Sequence, residues 1–256
     1  MRLTILGCSG SAPGPAAPAS GYLLEADGCL LVLDLGNGTL AELQSGRDPF
    51  EMDALLLSHL HPDHCADFSA LTVFRRYHPK PPHDPRQRRL PVYAPAEAPD
   101  RFACAYATSA AERAETDLSD VYDFHALPGG DIRIGPFRVS AVPMRHPTEA
   151  YGFRITDGHR VFAYTGDTAV CPELDTLAAG VDLLLAEATW THGHDRPIDV
   201  HLSGKEAGEL AARAGIGRLL VTHVPPWANA DAVLAEVRAE YPGDARLAER
   251  GARYEV

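Results

Sequence analysis

Apolar residues in this chain fall in short runs bounded by Gly, Pro and Asp, the spacing of buried strands more than of long helices. Strands are predicted at 2–7, 21–25 and 29–34, the last two joined across Ala26-Asp27-Gly28, a hairpin signal. The run Asp53-Ala54-Leu55-Leu56-Leu57 predicts a buried strand over 53–58, leading into a helix that begins near Asp63. Further strands are expected at 90–94, 121–125, 131–134, 137–142, 150–156, 160–164, 181–186, 217–222 and 252–256. Helices are expected at about 99–116, 172–179, 204–214 and 230–241, the third opened by the capping box Ser203-Gly204-Lys205-Glu206. Both halves are β-rich with helices between the strands. That describes an α/β chain, two β-layers faced by helices in an αββα four-layer sandwich, built as one domain over 1–256.

Composition adds limits to that picture. With 256 residues, 45% of them apolar, the chain can bury a sizeable core. Its apolar stretches are strand-sized, which excludes a transmembrane helix, and Met1 to Gly7 starts directly on a strand without a signal-peptide layout. The five cysteines, Cys8, Cys29, Cys65, Cys104 and Cys171, are scattered and odd in number. That is the usage of a cytoplasmic protein with reduced thiols. A net charge of −12 disfavours long nucleic acid, whose binding draws on broad cationic surface and counterion release.

The chemistry concentrates after the strand at 53–58, where SHLHPDH places His59, His61, Asp63 and His64 within six positions. Neutral imidazole suits Zn, Asp63 adds a hard oxygen, and such groups at the end of a core strand are costly without a common partner. The segment reads as a metal site. Three more residues share its placement at strand ends: His146 before Pro147, Asp167 in TGDT, and His223 after Leu219-Leu220-Val221-Thr222. Taken singly each is as readily a core polar group or turn residue; their recurrence at such ends is what singles them out.

On these motifs the chain resembles the metallo-β-lactamase superfamily of binuclear metallohydrolases over nearly its whole length, and the resemblance implies the same αββα fold. It also implies that His59, His61 and His146 hold one divalent metal and that Asp63, His64 and His223 hold the other, with Asp167 between both. Zn is the expected metal, and Mn or Fe can occupy such a His/Asp set. Asp34, in LDLG, matches the acidic residue these proteins carry after an early strand and would orient a ligand histidine; read alone, it is also a turn starter before Gly36. Two close metals lower the pKa of coordinated water from about 16 toward 7, so the expected nucleophile is a hydroxide between them, with Asp63 holding or accepting its proton.

Substrate class is read from other residues. Asp167 argues against the β-lactam-cleaving branch, and glyoxalase-II-type thiolesterases share that Asp. The pairing of LAEATW at 185–190 with HLSG at 201–204 looks like the phosphodiesterase branch that contains the tRNA 3′-processing nucleases. There His201 would protonate the leaving alkoxide, and Glu187 would keep it protonated and oriented. Read alone, His201 is a neighbour of the Ser203 cap and Glu187 a buried strand-end carboxylate. The tRNA-processing enzymes carry a long arm between the third and fourth motifs, whereas a short hairpin joins His146 to Asp167 here. GCSGS, RRYHP, HPTE, EATWTH, HLSG and THVPPW together look like an atypical bacterial cyclic-nucleotide phosphodiesterase group, from about residue 3 to 228. The resemblance implies hydrolysis of a small anionic phosphodiester, 3′,5′-cyclic AMP to 5′-AMP. A ribonuclease Z-like enzyme, a thiolesterase or a non-catalytic metal-binding accessory protein are the alternatives.

Several residues remain candidates for contacting substrate. Arg75 and Arg76 open a basic segment reaching Arg89, either a solvated loop or a rim that steers anions to the metals. Trp227 and Trp190 are core or stacking residues, Ser203 offers a hydroxyl, and the turn at 7–11 offers backbone N–H groups. His192 and His194 are expected in solvent, in a loop over 191–200 that could close as a lid. Cys65, beside His64, reads as a small buried residue before it reads as a ligand. A homodimer is conceivable through apolar faces of the helix at 99–116.

Overall fold

The period-2 pattern is followed by apolar residues on both faces of the central strands, so each strand is covered twice. In β3 (Cys29–Leu33), Cys29, Leu31 and Leu33 enter one core, and Leu30 and Val32 enter another. In β11 (Leu183–Glu187), Leu183 and Leu185 meet the first of these cores, and Leu184 and Ala186 meet a third. The shared core lies between two sheets; the other two lie between each sheet and its helices. This computed structural model describes residues 1–128 and 130–256.

The first sheet has seven strands in the order β14-β1-β2-β3-β4-β5-β6. They are β1 (Arg2–Gly7), β2 (Gly21–Ala26), β3, β4 (Ala54–Leu56), β5 (Leu90–Ala94), β6 (Tyr122–Ala126) and β14 (Arg253–Glu255). The second runs β13-β12-β11-β10-β9-β8-β7, from β7 (Ile132–Ile134), β8 (Phe137–Pro143), β9 (Tyr151–Thr156) and β10 (Val161–Tyr164) through β11 to β12 (Arg218–Thr222) and β13 (Asp244–Leu247). Each sheet couples an antiparallel part to a parallel quartet, β3 to β6 in one and β10 to β13 in the other. Parallel strands end together, and it is at those carboxyl ends that the ligand-type residues collect.

Helices α1 (Thr39–Gln44), α2 (Pro62–Cys65), α3 (Phe68–Tyr77), α4 (Ala98–Tyr106) and α5 (Ala110–Glu115) belong to the first half, and α6 (Glu173–Ala178), α7 (Gly204–Ala214) and α8 (Ala230–Glu240) to the second. Two β-layers with helices outside them make the αββα sandwich. The hairpin between β2 and β3 turns on Asp27 and Gly28, both with positive φ, as a tight turn matched to strand twist requires. The capping box on α7 is present, with Ser203 accepting from the Glu206 N–H and the Glu206 carboxylate accepting at the cap backbone.

The expected helix over 99–116 is two helices. Chain direction changes at Ala107, and Ser109 starts α5 by accepting from the Glu112 N–H. The apolar side of α4 is used internally, with Phe102 stacked on Phe68 at 3.8 Å between ring centroids, and α5 buries nothing. The apolar residues of this stretch thus serve the packing of α4 against α3. Among the described residues no helix is long and apolar enough to cross a membrane. All five cysteines are free thiols.

Candidate metal centre

Four loops leave the parallel and neighbouring strands at one end of the sandwich, and each carries a ligand-type side chain inward. His59, His61, Asp63 and His64 follow β4, His146 follows β8, Asp167 follows β10 and His223 follows β12. His59, His61 and His146 present nitrogens within 4.8 Å of one another, with His61 Nδ1 at 3.0 Å from His59 Nε2 and 3.2 Å from His146 Nε2. Asp63, His64, Asp167 and His223 form a second group within the same limit. There Asp167 Oδ1 lies 3.3 Å from His64 Nε2, and Asp167 Oδ2 lies 3.3 Å from His223 Nε2 and 3.6 Å from His59 Nε2. Asp167 therefore stands between the two groups. Asp63 Oδ2 is 3.1 Å from His223 Nε2.

Two observations show that this donor set fits a metal. His64 Nε2 and Asp167 Oδ1 are buried and have no hydrogen-bond partner among the described residues, and an orphaned polar atom in a core is costly. Burial and the neighbouring histidines hold His59 well below the usual imidazole pKa, so it is a neutral lone-pair donor. Burial also opposes charge on His64, but Asp167 and Asp34 outweigh it and hold that ring well above the usual range. Carboxylates that draw a proton onto a buried imidazole mark a place where positive charge is wanted.

A layer of hydrogen bonds fixes the ligands. Asp34 Oδ2 is 2.8 Å from His64 Nδ1 and also accepts from the Tyr164 hydroxyl and from Ser58 Oγ, each at 2.8 Å. Its other oxygen accepts from the Ser58 N–H. Ser58 Oγ lies 3.1 Å from His59 Nδ1, the Val200 carbonyl 3.0 Å from His146 Nδ1, and Thr189 Oγ1 3.1 Å from His223 Nδ1. Holding the far nitrogen in this way sets the tautomer and aim of each ring. Asp34 and His223 both have positive φ, rare for residues with a side chain and sustained here by these contacts. Gly10 packs so closely beneath His223 that a Cβ would sit 2.1 Å from its carbonyl oxygen, and the Ser11 N–H reaches His223 Nε2 at 3.5 Å. The turn at 7–11 thus packs against His223, with the Ser11 N–H near the ring edge that faces the cluster.

His201 and Glu187 adjoin the cluster. Glu187 is fully buried at the end of β11, and its Oε1 lies 2.9 Å from His201 Nδ1. The Thr168 N–H and the Thr189 hydroxyl donate to the same carboxylate. Burial resists charge on His201, but the Glu187 carboxylate and its hydrogen bond, with Asp167 behind them, push its pKa up to about 9. An imidazolium whose Nδ1 is held by a carboxylate is a poised proton donor at Nε2.

The chain matches the family described as the Beta-lactamase superfamily domain over residues 32–224. It belongs to that superfamily. Rv1339 of Mycobacterium tuberculosis is 44% identical over 246 residues, covering 95% of this chain and 88% of that one. A ribonuclease Z of Mycolicibacterium paratuberculosis is 31% identical, covering 88% and 86%. The crystal structure of the metallo-beta-lactamase fold protein YhfI from Bacillus subtilis superposes with a TM-score of 0.86 at 27% identity, covering 99% of both chains. The protein is accordingly a metal-dependent hydrolase of the phosphodiesterase and ribonuclease Z-like branch.

Other expected contact residues are placed elsewhere. Arg75 is buried under Phe50 and Arg88, and Arg76 is bound to Asp120, so neither is brought to the cluster. Ser203 is wholly buried and spends its hydroxyl on the α7 cap and His192. Trp227 is 72% exposed, and among the described residues it stacks on no aromatic ring. Trp190 does adjoin the site, edge-on to His201 at 5.3 Å. Cys65 is a buried thiol donating to the His61 carbonyl, and His192 and His194 are exposed. Ser58, Tyr164 and Thr189 support the site without having stood out in the sequence. A cleft of about 490 Å³ opens beside His61, lined by Pro95, Glu97, Arg101, Thr148 and Glu149 among others. Arg101 brings a cation there that no motif announced.

Proposed function

We propose that this protein is a binuclear phosphodiesterase for a small anionic substrate, hydrolysing 3′,5′-cyclic AMP to 5′-AMP. The observation that carries this reading is the His201–Glu187 pair set against the Asp167 carboxylate, 3.8 Å from His201 Nδ1. Thioester cleavage, which releases a stable thiolate, does not need a proton donor beside the ligands; departure of a ribose alkoxide does. His59, His61 and His146 would hold one divalent metal, and Asp63, His64 and His223 the other, with Asp167 shared; Zn suits this donor set. Metals bound there supply Lewis-acid charge for the phosphoryl oxygens and make water acidic enough to attack at neutral pH.

The chain's own residues do the rest. Asp63 takes up the proton of the attacking water as its oxygen bonds to phosphorus. The bond from phosphorus to O3′ breaks, and His201 Nε2 delivers its proton to that oxygen. Glu187 holds the ring in place and keeps it protonated until the step. Trp190 flanks His201, and Arg101 in the cleft beside His61 is the cation available to an anionic substrate. The charge of −12 and the four-residue turn at 157–160 between β9 and β10 favour a small diester over a long RNA. The identity to a ribonuclease Z supports the second reading, cleavage of an RNA phosphodiester. The five free thiols support a cytoplasmic location for either enzyme.

Turnover of 3′,5′-cyclic AMP by metal-replete protein, with bis(p-nitrophenyl) phosphate, a short RNA and a thioester run in parallel, tests this. AMP formation abolished by chelator is the expected result. RNA cleavage without AMP formation would favour the second reading, and thioester cleavage alone would remove both.

A further inference from the structure

The basic segment that follows the first motif lies away from the metal centre. From Phe68, helix α3 runs outward, carrying Arg75 about 10 Å along its axis at 1.5 Å per residue. The Arg75 guanidinium then meets the chain at Arg88, just before Leu90 opens β5. Because β5 is parallel to β4, that is the end of the sheet opposite His59.

Arg75 is 2% exposed. Among the described residues its one hydrogen bond is from Nη2 to the Arg88 carbonyl at 3.0 Å, and its buried Nε has no partner. Among the described residues, no carboxylate oxygen lies within ion-pair distance of it. Its neighbour Arg76 shows the contrast, with Asp120 oxygens at 2.7 and 3.0 Å. Arg75 lines a pocket of about 380 Å³ together with His78, His83, Asp84 and Arg86. Three of these residues gather on the Phe50 ring, with the Arg75 guanidinium carbon 5.5 Å from the ring centre and His78 and His83 edge-on at 5.6 and 5.5 Å. The Lys80 N–H donates to His78 Nδ1, which leaves the ring proton on Nε2. Arg86 stands at the rim with its side chain 69% exposed and only a long contact, 3.9 Å, to an Asp120 oxygen that Arg76 already holds. The one acid of the wall, Asp84, accepts from the Arg86 N–H in a local turn.

A buried guanidinium without a counter-charge, facing a cavity with further donors, is an incomplete ion pair. Its planar fork matches two oxygens of a tetrahedral oxyanion. We propose that this cup is a second ligand site, remote from the metals, which takes a small phosphate-type oxyanion. Arg75 is its buried charge partner, and Arg86, His78 and His83 are its rim donors.

Inorganic phosphate titrated calorimetrically into metal-loaded protein tests the site, because the metal centre supplies one class of phosphate binding and the cup a second. Wild type should show both classes. The rim double variant His83→Ala, Arg86→Ala, which keeps Arg75 and its packing, should weaken one class at least 10-fold and leave the other. Arg75→Met should lose that class while melting no lower than wild type in phosphate-free buffer, since it removes an uncompensated charge. A parallel titration with AMP separates sources: equal affinity at the cup means bare phosphate, tighter binding means a phosphorylated nucleotide. A single class of phosphate binding, unchanged in the rim variant, would overturn the proposal. So would an Arg75→Met protein that melts lower and still binds two equivalents.

Discussion

The two ends of the sandwich hold buried polar atoms without partners among the described residues, in surroundings of opposite charge. At the carboxyl ends of the strands they include Asp167 Oδ1 and His64 Nε2, in a nest of carboxylates and imidazoles that wants a cation. At the other end the orphan is Arg75 Nε, in a cup of donors that wants an anion. The supports differ as well. His59, His64, His146 and His223 each have the far ring nitrogen held, whereas Arg75 leans on one carbonyl and one aromatic face. The metal centre is pre-organised for chemistry, and the cup only for binding.

The comparison can be broken at either end. The largest effect is expected from His201→Ala, which removes the proton donor but no metal-holding residue: kcat should fall about 10²–10⁴-fold with metal content by elemental analysis unchanged. Asp34→Ala removes the acceptor shared by His64, Ser58 and Tyr164, so metal affinity should fall about 10–100-fold in a chelator competition. Arg101→Met should raise KM for an anionic diester and leave kcat near wild type in steady-state assays, because it touches binding at the cleft and not the proton donor.

A smaller effect tests stability away from both centres. Burial disfavours charge on Glu25, but Arg47 and Arg2 outweigh it and hold its carboxyl below the usual range. A depressed carboxyl stabilises the fold above the ordinary carboxylate range and loses that contribution as pH falls through its lowered value. Glu25→Gln should therefore lower the melting temperature at neutral pH, and the difference from wild type should shrink on acidification.

How much of this was legible in the sequence depended on how local the signal was. His59, His61, Asp63 and His64 declare themselves because four ligand types crowd one strand end. His146, Asp167 and His223 share only a position after an apolar run, and the motif resemblance joined them into one set. Ser58, Tyr164 and Thr189 were not legible, because a hydroxyl in or beside a strand looks the same whether it braces a ligand or ends in water. Arg75 misled for the opposite reason: RRYHP reads as charge on a surface, and only packing shows one arginine buried and the other paired. The break at 107–109 was written as Ser109 followed by Glu112, a helix start hidden within an Ala-rich stretch. The edge strand β13, Asp244–Leu247, has two charged residues in four and gave no apolar run to read.

The central claim is that His201 gives the proton for departure of a phosphodiester alkoxide beside an intact metal centre. It is tested most directly by measuring cyclic AMP turnover and metal content on the same preparations of wild type and His201→Ala. The account predicts AMP formation by wild type, a loss of about 10²-fold or more in the variant, and equal metal in both. Equal turnover by the two proteins, or a variant that loses its metal together with its activity, would contradict it.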